Sequence, residues 1–315
     1  WAQRVQEIQP FHVMAVLARA RALEAAGRDV IHMEIGEPDF TTPEPIIRAG
    51  QQALADGHTG YTPALGLPAL REAIAGLYAQ RYGIALDPAR VVVTPGGSAA
   101  LLLISALLVE PGKKVLMADP AYPCNRHFLR LVEGRAVLVP TGPETRYQLT
   151  PELIEQHWDS DCVAVLAASP ANPTGTLLER EELAALSSVC RRLGGELIVD
   201  EIYHGLTYGV DACSVLNVAD DAFVLNSFSK YFGMTGWRLG WLIAPEAAVP
   251  SLEKLAQNLF GGFWRGKSRN LRSAPACLSG TSRLFVACAT GAGLQYSGDA
   301  AGRLLSICRY ASAWW

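Results

Sequence analysis

AFVLNSFSKYFGMTGWRLGWLIA, residues 222–244, holds two apolar runs separated by small, polar and aromatic residues. The first run, 222–227, leads into Ser229 and Lys230, and the second, 239–244, follows Arg238. Short apolar runs bounded by turn formers read as strands covered on both faces. A polar residue delivered at the C-terminal end of such a strand lies where open α/β sheets put their ligands.

The same pattern recurs upstream. Strands are expected at 91–94, 114–118, 136–139, 162–168 and 196–200, with helices at 67–82, 98–109 and 179–193. Alternation at these spacings suits the crossover units of a mostly parallel sheet, hence an α/β fold. LIVDEIY ends one apolar run in Asp200, followed by Tyr203. VAVLAASPANPTG ends another in Asn172, and VVVTPGGSAALLL passes through Gly96 and Gly97 into a helix start. No internal repeat is present.

Composition bounds the possibilities. The chain has 315 residues, half of them apolar and 18% charged, with a net charge of -3. That is globular, and it argues against a general nucleic-acid binder. The apolar run at 99–109 is too short to span a bilayer, so no membrane segment is expected. The first residues lack a secretory signal, which makes the cytoplasm the expected compartment. Seven scattered Cys show no paired spacing for zinc or a disulfide framework, so no metal is expected.

Each polar feature has an ordinary reading when taken alone. Asp at a strand end is usually a cap or turn former, Gly-Gly-Ser a helix cap, Asn-Pro a turn, and Lys a solvated charge. Together they supply what a phosphorylated pyridine aldehyde needs. Gly97, Ser98, Ser227 and Arg238 suit its phosphate. Asp200 suits a protonated ring nitrogen, Asn172 and Tyr203 a phenolic oxygen, and Lys230 the aldehyde.

At IGEPDF (35–40), GYTPALGLPALREAIA (60–75), SPANPTG (169–175), VDEIYHGLTYG (199–209) and SFSKYFGMTGWRLGW (227–241), the chain resembles the class I/II aminotransferases of fold type I. The five segments keep the family's order across most of residues 5–260, and together they are far more specific than any one motif. The resemblance implies a three-layer sandwich around a mostly parallel sheet, with pyridoxal 5'-phosphate as cofactor. It makes Lys230 the lysine that holds the cofactor as a Schiff base, and Asp200 the partner of the pyridine nitrogen. Asn172 and Tyr203 would bind the phenolic oxygen. Ser227, Arg238 and the backbone at Gly97, Ser98 and Ala99 would bind phosphate. Tyr122 would stack on the ring, and Tyr61 would reach the phosphate of a neighbouring subunit, which implies a homodimer. Gly36 would belong to the loop that closes over substrate, and Asn172 would also contact substrate. Trp237 and Trp241 are read as core residues.

The implied chemistry is ping-pong transfer of an amino group from an L-amino acid to a 2-oxo acid. A C-S lyase or desulfhydrase using the same lysine is the alternative on this fold. The implied domains are a first small-domain segment at 1–44, a large cofactor-binding domain at 45–260 and an atypical tail at 261–315. The tail holds seven of the 27 basic residues and one of the 30 acids, so the charge is -9 up to residue 260 and +6 beyond it. With no sustained amphipathic period, the tail reads as translation out of frame in place of the family's small domain. Trp1 in the place of an initiating Met reads as the start of a fragment. A truncated, inactive product is therefore a third expectation.

Overall fold

The computed structural model of the chain describes residues 1–38 and 40–260. The expected tail, and with it the incomplete small domain, lies outside the described residues. In chain order the elements are α1 (Gln3–Glu7), α2 (His12–Ala25), α3 (Glu44–Ala55), α4 (Pro68–Tyr82), β1 (Val91–Thr94), α5 (Gly97–Leu108), β2 (Lys114–Asp119), α6 (Asn125–Leu131), β3 (Arg135–Pro140), α7 (Pro151–His157), β4 (Cys162–Ala168), α8 (Arg180–Arg192), β5 (Glu196–Asp200), β6 (Phe223–Ser227), β7 (Gly240–Ile243) and α9 (Val249–Leu259). Every strand and helix expected from the sequence is present, with ends displaced by no more than one residue.

The strands form one sheet in the order β1-β7-β6-β5-β4-β2-β3. β3, β2, β4, β5 and β6 run parallel. β7 runs antiparallel to both β6 and β1. The reversal follows from chain length, because only twelve residues separate β6 from β7 and no crossover helix fits between them.

Successive side chains of a strand point to opposite faces, and here each face has its own core. Val165, Ala167, Leu197, Val199, Val224, Trp241 and Ile243 pack on one side with Ile74 and Tyr78 of α4, Ile154 of α7 and Leu183 and Leu186 of α8. Ala164, Leu166, Ile198, Phe223, Leu225 and Leu242 pack on the other with Leu103 and Ile104 of α5, Leu129 of α6 and Leu252 of α9. The result is a three-layer sandwich. Truncating a large side chain in either layer costs about 3–5 kcal/mol.

Local signals agree with these positions. α8 opens on a reciprocal Glu179/Glu182 capping box and closes on Arg191 and Arg192, so both ends complement the helix dipole. α4 begins at Pro68 and stops at Gly83, which takes the left-handed conformation at φ 68°. The two tryptophans differ. Trp241 is buried as expected, but Trp237 is 44% exposed and is not a core residue. It lies in a short 3-10 turn between the strands, where its Nε1 donates to Thr42 Oγ1 at 3.0 Å. Among the described residues no helix is long and apolar enough to cross a membrane.

Candidate active site

Strand alternation decides which face carries the site. Ile198 faces α5, so Asp200, two residues on, faces the same way; Phe223 and Leu225 likewise carry Ser227 to the α5 side. The C-terminal ends of β4, β5 and β6 are adjacent, and β4 leads directly into the loop of Asn172. The site therefore stands above the ends of three neighbouring strands, beside the N-terminus of α5.

Asp200 is half-buried, and its Oδ1 accepts the Ile202 N–H at 3.0 Å. Burial pushes its carboxyl up to about 7, with the Ile202 N–H acting in the opposite direction. Among the described residues no cation compensates it. Tyr203, one turn further, has its hydroxyl 3.2 Å from Asn172 Nδ2, which donates to it. Asn172 and Tyr203 are thus joined as a pair. Tyr122 stands close enough that Asp200 and Tyr203 both act on its hydroxyl; burial chiefly, and the Cys124 thiol next, push that hydroxyl above its usual range. The Tyr122 and Phe11 rings meet edge to face at a centroid distance of 6.0 Å.

Lys230 sits just past β6. Its Nζ donates to the Gly36 carbonyl at 2.9 Å and lies 6.0 Å from the centre of the Tyr203 ring. The 36–42 segment crosses this loop at further points. Thr42 Oγ1 donates to the Gly233 carbonyl at 2.7 Å, and Thr235 bonds to Glu37. Gly36 is therefore beside the lysine although 194 residues separate them in sequence.

The other end of the site surrounds Gly96, which takes φ +81° to turn β1 into α5. A Cβ at Gly96 would fall 2.6 Å from Arg238 Nη2, so the guanidinium lies directly over this turn. A Cβ at Gly240 would fall 2.7 Å from the Gly96 carbonyl carbon. Glycine is favoured at 96 by its positive φ and required at 240 by the close approach of backbone. Arg238 itself adopts φ 52°, uncommon for a side chain of its size, and its Nη1 donates to the Thr235 carbonyl at 2.9 Å. Gly97, Ser98 and Ala99 form the first turn of α5, whose N–H groups have no intrahelical acceptor. Ser227 Oγ donates to the Leu239 carbonyl at 3.0 Å and lies 2.9 Å from Ser229 Oγ.

Tyr61 stands apart. It is 81% exposed and bonds to none of the other candidate residues within the described chain. A cavity of about 930 Å³ between α1, α6 and β3 includes none of the candidate residues. It is a solvated seam crossed by the Arg4–Glu133 and Glu7–Arg130 ion pairs.

Sequence reasoning overlooked Ser229 as a partner of Ser227, and it overlooked Glu201 and His204. Glu201 is 0% exposed and His204 2%. The signal was their spacing: in DEIYH, residues 201 and 204 must occupy the face opposite to 200 and 203. Gln148 was also missed. Its buried amide donates to the Ala168 and Thr176 carbonyls, each at 3.1 Å, and so closes the base of the Asn172 loop.

A phosphorylated pyridine aldehyde fits this donor set. The enclosed carboxyl without a cation suits a ring N–H⁺, and the first-turn amides beside Arg238 suit a phosphate. An α/β protein with such a strand-end site, a lysine at its centre and an anion cradle at one helix start is of the fold type I class. The sequence matches the family described as aminotransferase class I and II across residues 28–265. Valine–pyruvate aminotransferase of Mycobacterium tuberculosis is 42% identical over 253 residues, covering 80% of this chain and 65% of the relative. Aspartate aminotransferase of Geobacillus stearothermophilus is 36% identical, covering 82% of this chain and 67% of the relative. A crystal structure of an aminotransferase from Mycobacterium tuberculosis superposes with a TM-score of 0.84 at 36% identity, covering 99% of this chain and 76% of that one. Aspartate aminotransferase of Thermus thermophilus with maleate gives 0.81 at 29% identity, covering 99% and 76%. The chain belongs to the class I and II aminotransferases, a family dependent on pyridoxal phosphate, and spans about two thirds of the length of the curated relatives it matches.

Proposed function

We propose that this chain carries the cofactor site of an aminotransferase that moves the amino group of an L-amino acid to a 2-oxo acid in a ping-pong sequence. The observation that supports this most is the meeting of Lys230, Asp200 and the Asn172–Tyr203 pair above adjacent strand ends, with Arg238 laid over the α5 turn. Bound there, pyridoxal 5'-phosphate supplies an aldehyde carbon that exchanges amines and a ring that accepts electrons from the substrate Cα.

The chain's residues do the rest. Asp200 would serve as the anion for the ring nitrogen, a positive partner there returning its carboxyl to the ionised form. Asn172 Nδ2 and the Tyr203 hydroxyl hold the phenolic oxygen, and Tyr122 supports the ring face. Gly97, Ser98 and Ala99 N–H groups, with Ser227 and Arg238, hold the phosphate. Lys230 Nζ binds the cofactor at rest. When not bonded to the cofactor, its amine would be the base that takes and returns the substrate Cα proton. Gly36, in the segment crossing Lys230, borders the substrate.

The working unit we assign is a homodimer, in which the exposed Tyr61 of each copy completes the phosphate site of the other. Residues 1–44 belong to a second lobe, a reading supported by α2, which buries only Ala20. The large domain is 45–260, and the compartment is the cytoplasm. The relatives' names nominate valine with pyruvate, and aspartate as a second amino donor, to assay first. Amino transfer by protein whose cofactor borohydride fixes to Lys230 is the expected result. Ammonia and pyruvate released without a 2-oxo acid would redirect the assignment to a C-S lyase.

A further inference from the structure

Behind the Asp200–Tyr203 turn lies a second set of polar groups that the proposed chemistry does not use. The turn is tight: Ile202 N–H bonds Asp200 Oδ1, His204 N–H donates to the Glu201 carbonyl at 2.9 Å, and Glu201 N–H donates to Leu225 of β6 at 2.9 Å. Asp200 and Tyr203 consequently face the site, whereas Glu201 and His204 enter the α4 layer. Glu201 accepts from Ser214 Oγ at 2.9 Å and Val215 N–H at 2.8 Å, with the Tyr78 hydroxyl at the edge of reach, 3.5 Å. His204 Nδ1 lies 2.8 Å from the Tyr82 hydroxyl and 3.5 Å from Glu201 Oε2.

The charge states follow from burial. It pushes the Glu201 carboxyl up to about 8 and pulls the His204 imidazole down to about 3, so their contact at neutral pH involves an uncharged imidazole and is no ion pair. The titratable groups facing this cluster are Tyr78, Arg81 and Tyr82 of α4 and Cys213, together with Asp200 on its own turn. Arg81 also opposes a charge on His204.

The other imidazole nitrogen identifies what His204 does. Nε2 is buried without a hydrogen bond, and the Ser169 backbone acts on the imidazole as an acceptor would, raising its proton affinity. A carbonyl only accepts, so the proton belongs on Nε2, and Nδ1 must accept from the Tyr82 hydroxyl. Ser169 begins the loop that carries Asn172, and its N–H bonds the Asp200 carbonyl at 3.0 Å. His204 therefore stands between the loop of Tyr203 and the loop of Asn172, the two residues that share one partner. Buried polar atoms left without a partner are rare in folded proteins, and one at this junction calls for an account.

We propose that His204, held by Tyr82 from α4, is a positioning residue that sets the spacing between Tyr203 and Asn172 around the cofactor's phenolic oxygen, its Nε2–H closing onto the Ser169 carbonyl when the cofactor is bound. This rests on the cofactor reading above. Removing the imidazole frees the two loops to separate, which weakens their shared grip and changes the proton affinity of the group they hold. The contribution of one well-placed hydrogen bond corresponds to roughly a tenfold change in cofactor dissociation constant.

The test uses the whole chain with pyridoxal phosphate in wild type, His204→Phe, His204→Gln and Tyr82→Phe. Absorbance titration against pH reads the lysine-bound cofactor, fluorescence reads its dissociation, and proton–nitrogen correlation spectra of the histidines read the tautomer with and without cofactor. His204→Phe should weaken cofactor binding by about tenfold and displace the absorbance midpoint. His204→Gln, whose amide reaches the place of Nε2, should restore most of both. Tyr82→Phe, the loss of a single oxygen, should shift the absorbance midpoint in the same direction and disturb the tautomer. In wild type the Nε2–H signal should move on cofactor addition. Unchanged cofactor affinity and absorbance midpoint in His204→Phe and Tyr82→Phe would overturn the proposal, whatever happens to thermal stability. A wild type that never forms a lysine-bound chromophore would overturn the cofactor reading itself, and this inference with it.

Discussion

Replacing Asp200 by Asn should make the cofactor-free protein more stable at alkaline pH while impairing the bound form. Burial holds this carboxyl at about 7 against an ordinary value of 3.8. About three pH units at about 1.4 kcal/mol each is about 4 kcal/mol. Because Asp200 keeps partial contact with solvent, about half of that, roughly 2 kcal/mol, is the expected size. The direction follows from which state holds the proton. Below pH 4, native and unfolded chains are both protonated at this position and no penalty arises. Between about 4 and 7 the unfolded chain releases its proton first, so the native form loses stability, and above 7 the whole penalty stands. Asn carries no such penalty. At pH 8 the cofactor-free variant should unfold about 4–8 °C above wild type, a gap that closes towards pH 4. Glu201, pushed up to about 8 chiefly by burial and least by Asp200, titrates in both proteins, so most of its contribution cancels in the difference. Calorimetry on cofactor-free samples across this range measures the gap. Adding pyridoxal phosphate should reverse the order, since a neutral amide lacks the negative charge that stabilises a ring N–H⁺. Equal unfolding temperatures at pH 8 would show that the carboxyl is already compensated by charge and would refute the reasoning.

Lys230→Ala should abolish borohydride-fixed cofactor, and in wild type the label should map to the peptide containing Lys230; a label on Lys254 would move the assignment. Gly96→Ala forces a Cβ to 2.6 Å from Arg238 Nη2 at a φ of +81°, so displacement of the guanidinium should weaken phosphate binding by about ten- to a hundredfold in a fluorescence titration. Mixed Lys230→Ala and Tyr61→Phe chains should regain transaminase activity through hybrids that hold one native site, provided each variant alone is inactive. No gain over the separate variants would count against a site shared between copies.

The sheet was legible because its inner strands are largely buried on both faces and so read as apolar runs; 162–168 is the clearest case. Its order was less so. Only the shortness of the 228–239 connection reveals that β7 reverses, and length is a weaker signal than periodicity. Lys230, Asp200, Asn172 and Arg238 stood out because each breaks an apolar run or follows a turn. Glu201 and His204 did not, since charged residues after a strand normally meet water, and the groups that receive them come from a later loop, Ser214 and Val215, and from Tyr82, 122 residues from His204. Trp237 misled for the opposite reason. An aromatic residue near a strand resembles core, but here the chain takes a 3-10 turn and hands the indole to Thr42.

Adjacent carboxyls at the end of β5 face opposite ways, Asp200 to the ligand side and Glu201 into the protein. A deletion of one residue within 196–199 would not empty the ligand side of acid, because it would rotate Glu201 into the place of Asp200. Charge would survive the slip while reach would not: the incoming carboxyl is one methylene longer, and the interior position would receive Ile202 opposite Ser214. The segment is therefore buffered against loss of charge but intolerant of change in length, so sequence drift at these four positions should proceed by substitution and never by loss.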